Sequence, residues 1–401
     1  MEVTARKWRP QVFEDFVGQE HVILSLKNAI KKKKIGHAYL LSGPRGTGKT
    51  STARVFAKAL NCLEGGPIET PCGKCKNCVE ITQGNSVDVI ELDGASNRGI
   101  DEIRSLRDNI QFLPSHSNYK IYIIDEVHML TDAAFNALLK TLEEPPSHVI
   151  FLLATTDPHK VKITIRSRCQ HFRLKRISNL QIAEQLEKIL KESGIAYEKD
   201  AVTLIARAAD GSMRDSQSLL DQCVIYSENN LTVDKVKEII GSVSSDEYCS
   251  LTDIFIAEDT QKLSEFIARL YSEGEDISFF VEGMAIHMRN ILLAKSGIAN
   301  FEGLEESYFE KLKSYGTHFS NFQIHRLMDL FLNLHKELKT TEKERFVLEN
   351  VFYQALDYKN FIHLSALLKK ITELEKNLSE GSSYQIIQEP REEKKKAETL
   401  S

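Results

Sequence analysis

Up to about residue 175, short apolar runs alternate with stretches whose apolar residues recur every three or four positions. The runs AYLLSG and VDVIELDG predict strands, and KIYIIDE and HVIFLLATT predict buried ones. Between them, TSTARVFAKAL, GIDEIRSLRDNIQFL and LTDAAFNALLKTLEE predict helices, the last stopped by Pro145 and Pro146. Strands separated by helices can pair in parallel, because each helix carries the chain back across the sheet; the expected fold is therefore α/β, a parallel sheet with flanking helices. From about residue 177 the strand pattern stops. SNLQIAEQLEKILKESG opens on a serine N-cap and closes on a glycine, and EKDAVTLIARAADGSMRDSQSLLDQCVIYS predicts two more helices. Amphipathic stripes such as FSNFQIHRLMDLFLNLHKEL and ERFVLENVFYQALDY then predict an all-helical region. The expected division is 1–176 for the α/β domain, 177–242 for a small helical domain, 243–370 for a second helical domain and 371–401 for a disordered polar tail.

Composition adds mainly exclusions. With 42% hydrophobic and 27% charged residues in 401, the chain is an ordinary globular protein. No apolar run approaches a membrane span and MEVTARKWRPQ lacks a signal peptide's apolar core, so the expectation is a cytoplasmic protein with no membrane partner. The net charge of −5, from 52 basic and 57 acidic side chains, argues against a protein that embraces nucleic acid over its whole surface. Any DNA contact must be local. Seven cysteines, an odd number, argue against a disulfide framework.

Gly43, Pro44, Arg45, Gly46, Thr47, Gly48, Lys49 and Thr50 fit G-x-x-x-x-G-K-[ST], placed between a strand and a helix as that motif requires, with Ser51 following. The glycines let backbone N–H groups turn inward on phosphates, and the helix N-terminus adds its positive end. Lys49 is expected to reach the β- and γ-phosphates of ATP, and the Thr50 hydroxyl to ligate Mg²⁺. Asp125 and Glu126 end a buried strand, where open α/β sheets bind ligands. Asp125 is expected to hold Mg²⁺ through water and Glu126 to polarise the attacking water, which makes ATP hydrolysis the expected chemistry.

Cys62, Cys72, Cys75 and Cys78 follow C-x9-C-x2-C-x2-C within an insertion at 62–78. Two C-x-x-C steps sharing a cysteine bring three thiolates to one ion, and Cys62 can fold back as the fourth. Four sulfurs favour a closed, structural Zn²⁺ site, with an iron–sulfur cluster or free thiols as the lesser alternatives. Lys74 and Lys76 are expected to offset part of the thiolate charge. The metal would pin a protruding loop to the helix after the phosphate loop and take no part in the chemistry.

In combination, WRPQVFEDFVGQEHV, GPRGTGKTS, the four-cysteine insertion, DEVHML, ALLKTLEEPP, LATTDP, SRC and GSMRDS resemble the AAA+ clamp-loader ATPases of bacterial DNA polymerase III, strongly over 5–240 and loosely over 243–370. The resemblance implies an AAA+ domain, a helical lid and an oligomerisation collar in that order. It implies a motor subunit that opens a sliding clamp and loads it on primer–template DNA, acting with clamp-loader delta and delta-prime subunits and further copies of itself. It implies a subunit other than the polymerising one. The resemblance further makes Thr156 (or Thr155) the sensor of the γ-phosphate and Arg168 a finger presented to the neighbouring subunit's ATP. Arg214 becomes the lid's sensor on the chain's own nucleotide. Trp8 and Val17, with Arg9, Pro10 and Gln19, would surround adenine, and Arg98 is the foremost DNA contact, with Lys160 and Lys162 behind it. Another AAA+ DNA motor, such as a branch-migration ATPase, is the alternative; it would need a winged-helix domain in place of the collar.

Overall fold

The computed structural model describes residues 3–96, 99, 106, 109–228, 230–240, 245–274, 276–298, 304, 306–361 and 364–379. The chain divides into two compact units, Met1–Ser242 and Val243–Ser401.

The first unit is built on five strands: β1 (Ala38–Ser42), β2 (Val89–Asp93), β3 (Lys120–Asp125), β4 (Val149–Thr155) and β5 (Gln170–Arg173). Their order is β2-β3-β4-β1-β5, and every neighbouring pair is parallel. Alternate residues along a strand face opposite sides, and both faces are apolar. Tyr39, Leu41, Ile121, Ile123, Ile150 and Leu152 pack on one side with Val55, Phe56 and Leu60 of helix Lys49–Asn61. Leu40, Tyr122, Ile124, Phe151 and Leu153 pack on the other with Phe135, Leu138 and Leu142 of helix Asp132–Glu143. Because β3, β4 and β1 are adjacent, their C-terminal ends, Asp125, Thr155 and Ser42, open side by side. This edge of the sheet carries the site.

Hydrophobic patterning does not announce β5. It is an edge strand whose residues Gln170, His171 and Arg173 are exposed, so it has no apolar run. The helical portion is likewise not free of strands: Ala196–Tyr197 and Asn230–Leu231 form a short parallel pair. Around that pair stand helices Asn179–Ser193, Lys199–Ala208, Met213–Tyr226 and Val233–Ile240, whose core includes Leu186, Ile205, Leu220 and Val236. The first of these carries the expected Ser178 cap, completed by Gln181 as a capping box, and ends at left-handed Gly194. Gln19 clamps the segment between β5 and this portion. Its fully buried amide accepts from the Lys175 N–H at 3.1 Å and donates to the Lys175 carbonyl at 2.8 Å. Gln19 is therefore spent on the backbone, which corrects its expected place beside adenine.

Among the described residues the second unit is helical, from Ser245–Ala257 through Leu364–Ser379. Phe255, Phe280, Phe331 and Phe352 meet at its centre. Helix Ile277–Lys295, 19 residues long with a mean hydropathy of 1.2 over an 18-residue window, is long and apolar enough to cross a membrane, contrary to the reading that no run approaches that length. Its apolarity has a plainer use: 56% of it is buried inside the fold. The boundary expected at residue 371 is corrected, because helix Leu364–Ser379 runs through it; the rest of the expected tail, 380–401, lies outside the described residues.

His287 on this helix is buried and neutral. Its Nδ1 lies 2.6 Å from the Tyr308 hydroxyl and its Nε2 3.0 Å from Thr252 Oγ1, and burial pushes its pKa down to about 3. The unfolded imidazole titrates near 6.5, so the folded form loses stability as pH falls below that value. Between pH 6 and 4 we expect stability to fall by about 1.4 kcal/mol per pH unit on account of this one proton. Denaturant titrations across that range should show the slope reduced by about one proton in His287→Gln.

Candidate functional site

Helix Lys49–Asn61 begins where the phosphate loop ends, and Gly48, at φ 97°, is its N-cap. Gly46 is the position where the loop meets the lid: at φ 72°, a Cβ there would lie 1.8 Å from Ser212 Oγ. Only glycine permits that approach. The Arg214 N–H reaches back to the Gly46 carbonyl at 3.4 Å, so the start of helix Met213–Tyr226 lies directly over the loop.

The Lys49 side chain is 5% exposed and donates to the carbonyls of Gly43 and Pro44 at 3.0 and 2.9 Å. Burial lowers its pKa, and the charges of Glu126 and Asp125 act against that shift. The Thr50 hydroxyl donates to Asp125 Oδ2 at 2.5 Å, and the other Asp125 oxygen accepts from the Glu126 N–H at 2.9 Å. Residues 75 apart in sequence are thus joined at one oxygen pair. Glu126 itself is held in the left-handed region at φ 43°, a conformation that costs a non-glycine residue about 1–3 kcal/mol and recurs at functional sites.

Thr156, expected as the γ-phosphate sensor, stands beside Glu126. Its N–H and hydroxyl both donate to Glu126 Oε2, at 2.9 and 2.8 Å, so it orients the carboxylate rather than lining the cavity. Thr155 is fully buried and its hydroxyl lies 2.9 Å from His128 Nδ1. That imidazole nitrogen is also 3.3 Å from Glu126 Oε2. His128 went unnoticed in the sequence, where it is one polar residue in an apolar stretch; only the fold turns it toward Glu126.

The phosphate loop and the acidic pair open into one cavity of about 1240 Å³. Residues 45–51 form one wall, Asp125 and Glu126 another, and Arg214 the lid side. Trp8, Pro10, Val17, Ile177 and Met213 give it an apolar end. Seven cationic side chains line it (Arg6, Lys7, Arg9, Arg45, Lys49, Arg54 and Arg214) against four acidic ones (Asp15, Asp93, Asp125 and Glu126), an excess of three on a chain whose net charge is −5. Arg54 is neutralised by a bidentate pair with Glu91 at 2.7 Å. Burial, with Arg54 and Arg214 nearby, lowers the pKa of Arg9. A volume of this size, positive and apolar in different parts, suits a nucleoside triphosphate.

Arg168 lies outside that cavity. About a third of its side chain is exposed, and its guanidinium donates to Glu143 Oε1 at 2.8 Å and to the Thr164 carbonyl at 2.7 Å. Lys160 and Lys162 are paired with Asp157 and Asp132 at 3.4 and 2.7 Å. Arg98 lies outside the described residues.

The four cysteines come together beyond the far end of helix Lys49–Asn61. All four Sγ atoms lie within 4.8 Å of one another, with Cys72 and Cys78 4.0 Å apart. A tetrahedral ion with bonds of about 2.3 Å would place its sulfurs about 3.8 Å apart. The Cys72 N–H points at Cys62 Sγ at 3.5 Å, that of Cys75 at Cys72 Sγ at 3.3 Å, and that of Cys78 at Cys75 Sγ at 3.5 Å. Backbone N–H groups directed at sulfur favour thiolate, and thiolate is the form that ligates metal. The donor set fits Zn²⁺. Lys74 and Lys76, expected to offset thiolate charge, are exposed and pair with Glu64 and Glu80. The cation beside the cluster is Lys58, 2% exposed, which donates to Gln11 Oε1 at 2.8 Å and to Thr82 Oγ1 at 3.3 Å, with Cys78 raising its pKa against the lowering by burial. Asn77 ties the cluster down by donating to the Asn61 carbonyl at 2.9 Å, and the Asn61 amide in turn bonds both the N–H and the carbonyl of Tyr119. The knob thus ties the end of the phosphate-loop helix to the segment entering β3.

Comparison with known proteins matches residues 18–178 to the family described as DNA polymerase III, delta subunit. Residues 181–229 match the DNA polymerase III clamp loader subunit ATPase lid domain, and 231–371 the DNA polymerase III subunits gamma and tau domain III. DNA polymerase III subunit tau of Bacillus subtilis (strain 168) is 43% identical over 93% of this chain and 67% of its own length. The tau subunit of Escherichia coli (strain K12) is 50% identical over 68% of this chain and 42% of its own length. DNA polymerase III subunit gamma of Buchnera aphidicola subsp. Schizaphis graminum (strain Sg) is 39% identical over 88% of this chain and 98% of its own. The chain thus spans two-thirds of one of these tau relatives, under half of the other, and nearly all of the gamma relative.

Proposed function

The chain belongs to the gamma/tau family of DNA polymerase III clamp-loader subunits, AAA+ ATPases for which nucleotide and Mg²⁺ are implied, and on that premise we propose that it is an ATP-hydrolysing motor that opens a sliding clamp and loads it onto primed DNA. The observation that carries the reading is the single cavity in which the phosphate loop, the acidic pair and lid residue Arg214 meet. ATP enters with its base toward Trp8 and Val17 and its phosphates on the N–H groups of residues 46–50. Lys49 then exchanges two backbone carbonyls for the β- and γ-phosphates. Thr50 and Asp125, already joined by a hydrogen bond, would hold Mg²⁺, which when bound offsets charge on the β- and γ-oxygens. Glu126, steadied by Thr156, orients the attacking water. Because Arg214 sits on the lid and Gly46 on the loop, nucleotide between them couples phosphate occupancy to lid position. That coupling is how the fuel would move the assembly.

Arg168 does not line the chain's own cavity and is the finger offered to the next subunit's ATP. A finger used this way demands a head-to-tail ring or arc, which the clamp-loader delta and delta-prime subunits and further copies of this chain would complete. The cluster of Cys62, Cys72, Cys75 and Cys78 would hold Zn²⁺ as a brace. DNA would be held only by the assembled ring, through local cationic sites, and the protein would work in the cytoplasm. A branch-migration motor would need a winged helix where this chain matches gamma and tau domain III.

The test is ATP turnover by the chain alone, with its partner subunits, and with primed DNA and clamp added. The expected result is weak basal activity, stimulated by DNA plus clamp only when the partners are present, and abolished by Lys49→Ala. Turnover that persists in Lys49→Ala would refute the site. For the metal, elemental analysis of anaerobically purified protein should give about one zinc per chain, and under about half an equivalent would contradict the brace. Cys78→Ser should lose the ion and lower Tm, since a knob without a core of its own depends on its metal.

A further inference from the structure

The helix that runs past residue 371 carries a pattern of its own. Leu364–Ser379 reads LSALLKKITELEKNLS, and a heptad laid on it puts Leu364, Ile371 and Leu378 at a and Leu367 and Leu374 at d. Its central residues are not consumed by the fold. Leu367, Leu368, Ile371 and Leu374 are 44%, 54%, 44% and 43% exposed. We infer that this helix pairs in parallel with the same helix of a second copy of the chain, as a short two-stranded coiled coil.

The choice of partner and direction comes from the flanking charges. In the same register Lys370 falls at g and Glu375 at e, and in a parallel pair a g residue faces the e residue five positions on in the partner helix. Two identical helices would therefore make the Lys370–Glu375 contact twice, once on each side of the seam. An antiparallel pair would set g against g and lose that match. Ile371, the central a residue, with leucine at the flanking d positions is the combination that favours two strands at that layer. Little more than two heptads is too short to associate from dilute solution, so pairing needs the copies gathered beforehand. The inference rests on the proposed assembly for that step alone, where tethering raises the effective concentration to the millimolar range.

Disulfide trapping in the full-length chain within the reconstituted complex tests it. Leu374→Cys at d should cross-link between copies under mild oxidation, whereas Lys369→Cys at f should give at least about tenfold less, because f points away from the seam. Mixing Lys370→Cys with Glu375→Cys chains should yield the heterodimer. Lys370→Glu should reduce trapping through Leu374→Cys, and adding Glu375→Lys in the same chain should restore it. Copies that sediment as an assembly but cross-link equally at d and f would overturn this inference while leaving the motor reading intact. Chains that remain single would overturn both. Unchanged trapping in Lys370→Glu would overturn the register.

Discussion

Arg168→Ala should reduce ATP turnover by the assembled complex about a thousandfold or more and leave ATP binding by the isolated chain unchanged. The magnitude is that of a guanidinium placed on the charge that develops as the γ-phosphoryl group transfers. Sparing of binding follows from geometry, since Arg168 does not line its own chain's cavity and rests on Glu143 and the Thr164 carbonyl. Exchange of those contacts for a neighbour's phosphate loses only an exposed ion pair, worth about 0–1 kcal/mol. The check pairs equilibrium titration of labelled ATP on the single chain with steady-state turnover in the complex. Weakened binding by the single chain would place Arg168 in cis and contradict the assignment.

Glu126→Gln should lower turnover about 10²–10⁴-fold with ATP affinity preserved. The amide keeps the size and can still accept from the Thr156 N–H and hydroxyl, which lie 2.9 and 2.8 Å from Oε2. It removes the charge that polarises water, and leaves Lys49, Thr50 and Asp125 in place to hold the phosphates. The effect therefore belongs in kcat and not in binding. Single-turnover quench measurements after ATP saturation separate the two. A variant that hydrolyses at an undiminished rate would transfer the water-orienting role to another group, His128 being next in line at 3.3 Å from the carboxylate.

Much of the fold was legible because it rests on local signals that agree. The β1, β3 and β4 runs are apolar since both faces of a parallel sheet are covered, and helix Lys49–Asn61 follows from the same loop chemistry that marks the site. What escaped lies where pairing replaces burial. β5 is a polar edge strand held by its neighbour β1, and Ala196–Tyr197 is too short for any period to show. The helix beyond residue 371 was obscured by its charges, which mask a heptad once read together with the polar residues that follow. At the site, chain order revealed which side chains carry chemistry but not which hold them. Thr156 turned out to grip Glu126, Gln19 to clamp Lys175, and Lys58 to stand beside Cys78 where Lys74 and Lys76 were expected. Each of these contacts joins distant segments, which no local pattern records.

The claim on which the account turns is that each ATP site is completed by the adjoining subunit, and complementation between two inactive variants tests it most directly. A Lys49→Ala chain cannot fire its own site but still offers Arg168, whereas an Arg168→Ala chain keeps a sound cavity and offers no finger. Complexes reconstituted from either alone should be inactive, and complexes reconstituted from the mixture should recover turnover in proportion to junctions where a sound cavity meets an intact finger. Mixed complexes as inactive as their parents, or wild-type chains that hydrolyse ATP at the full rate when diluted to monomers, would contradict it.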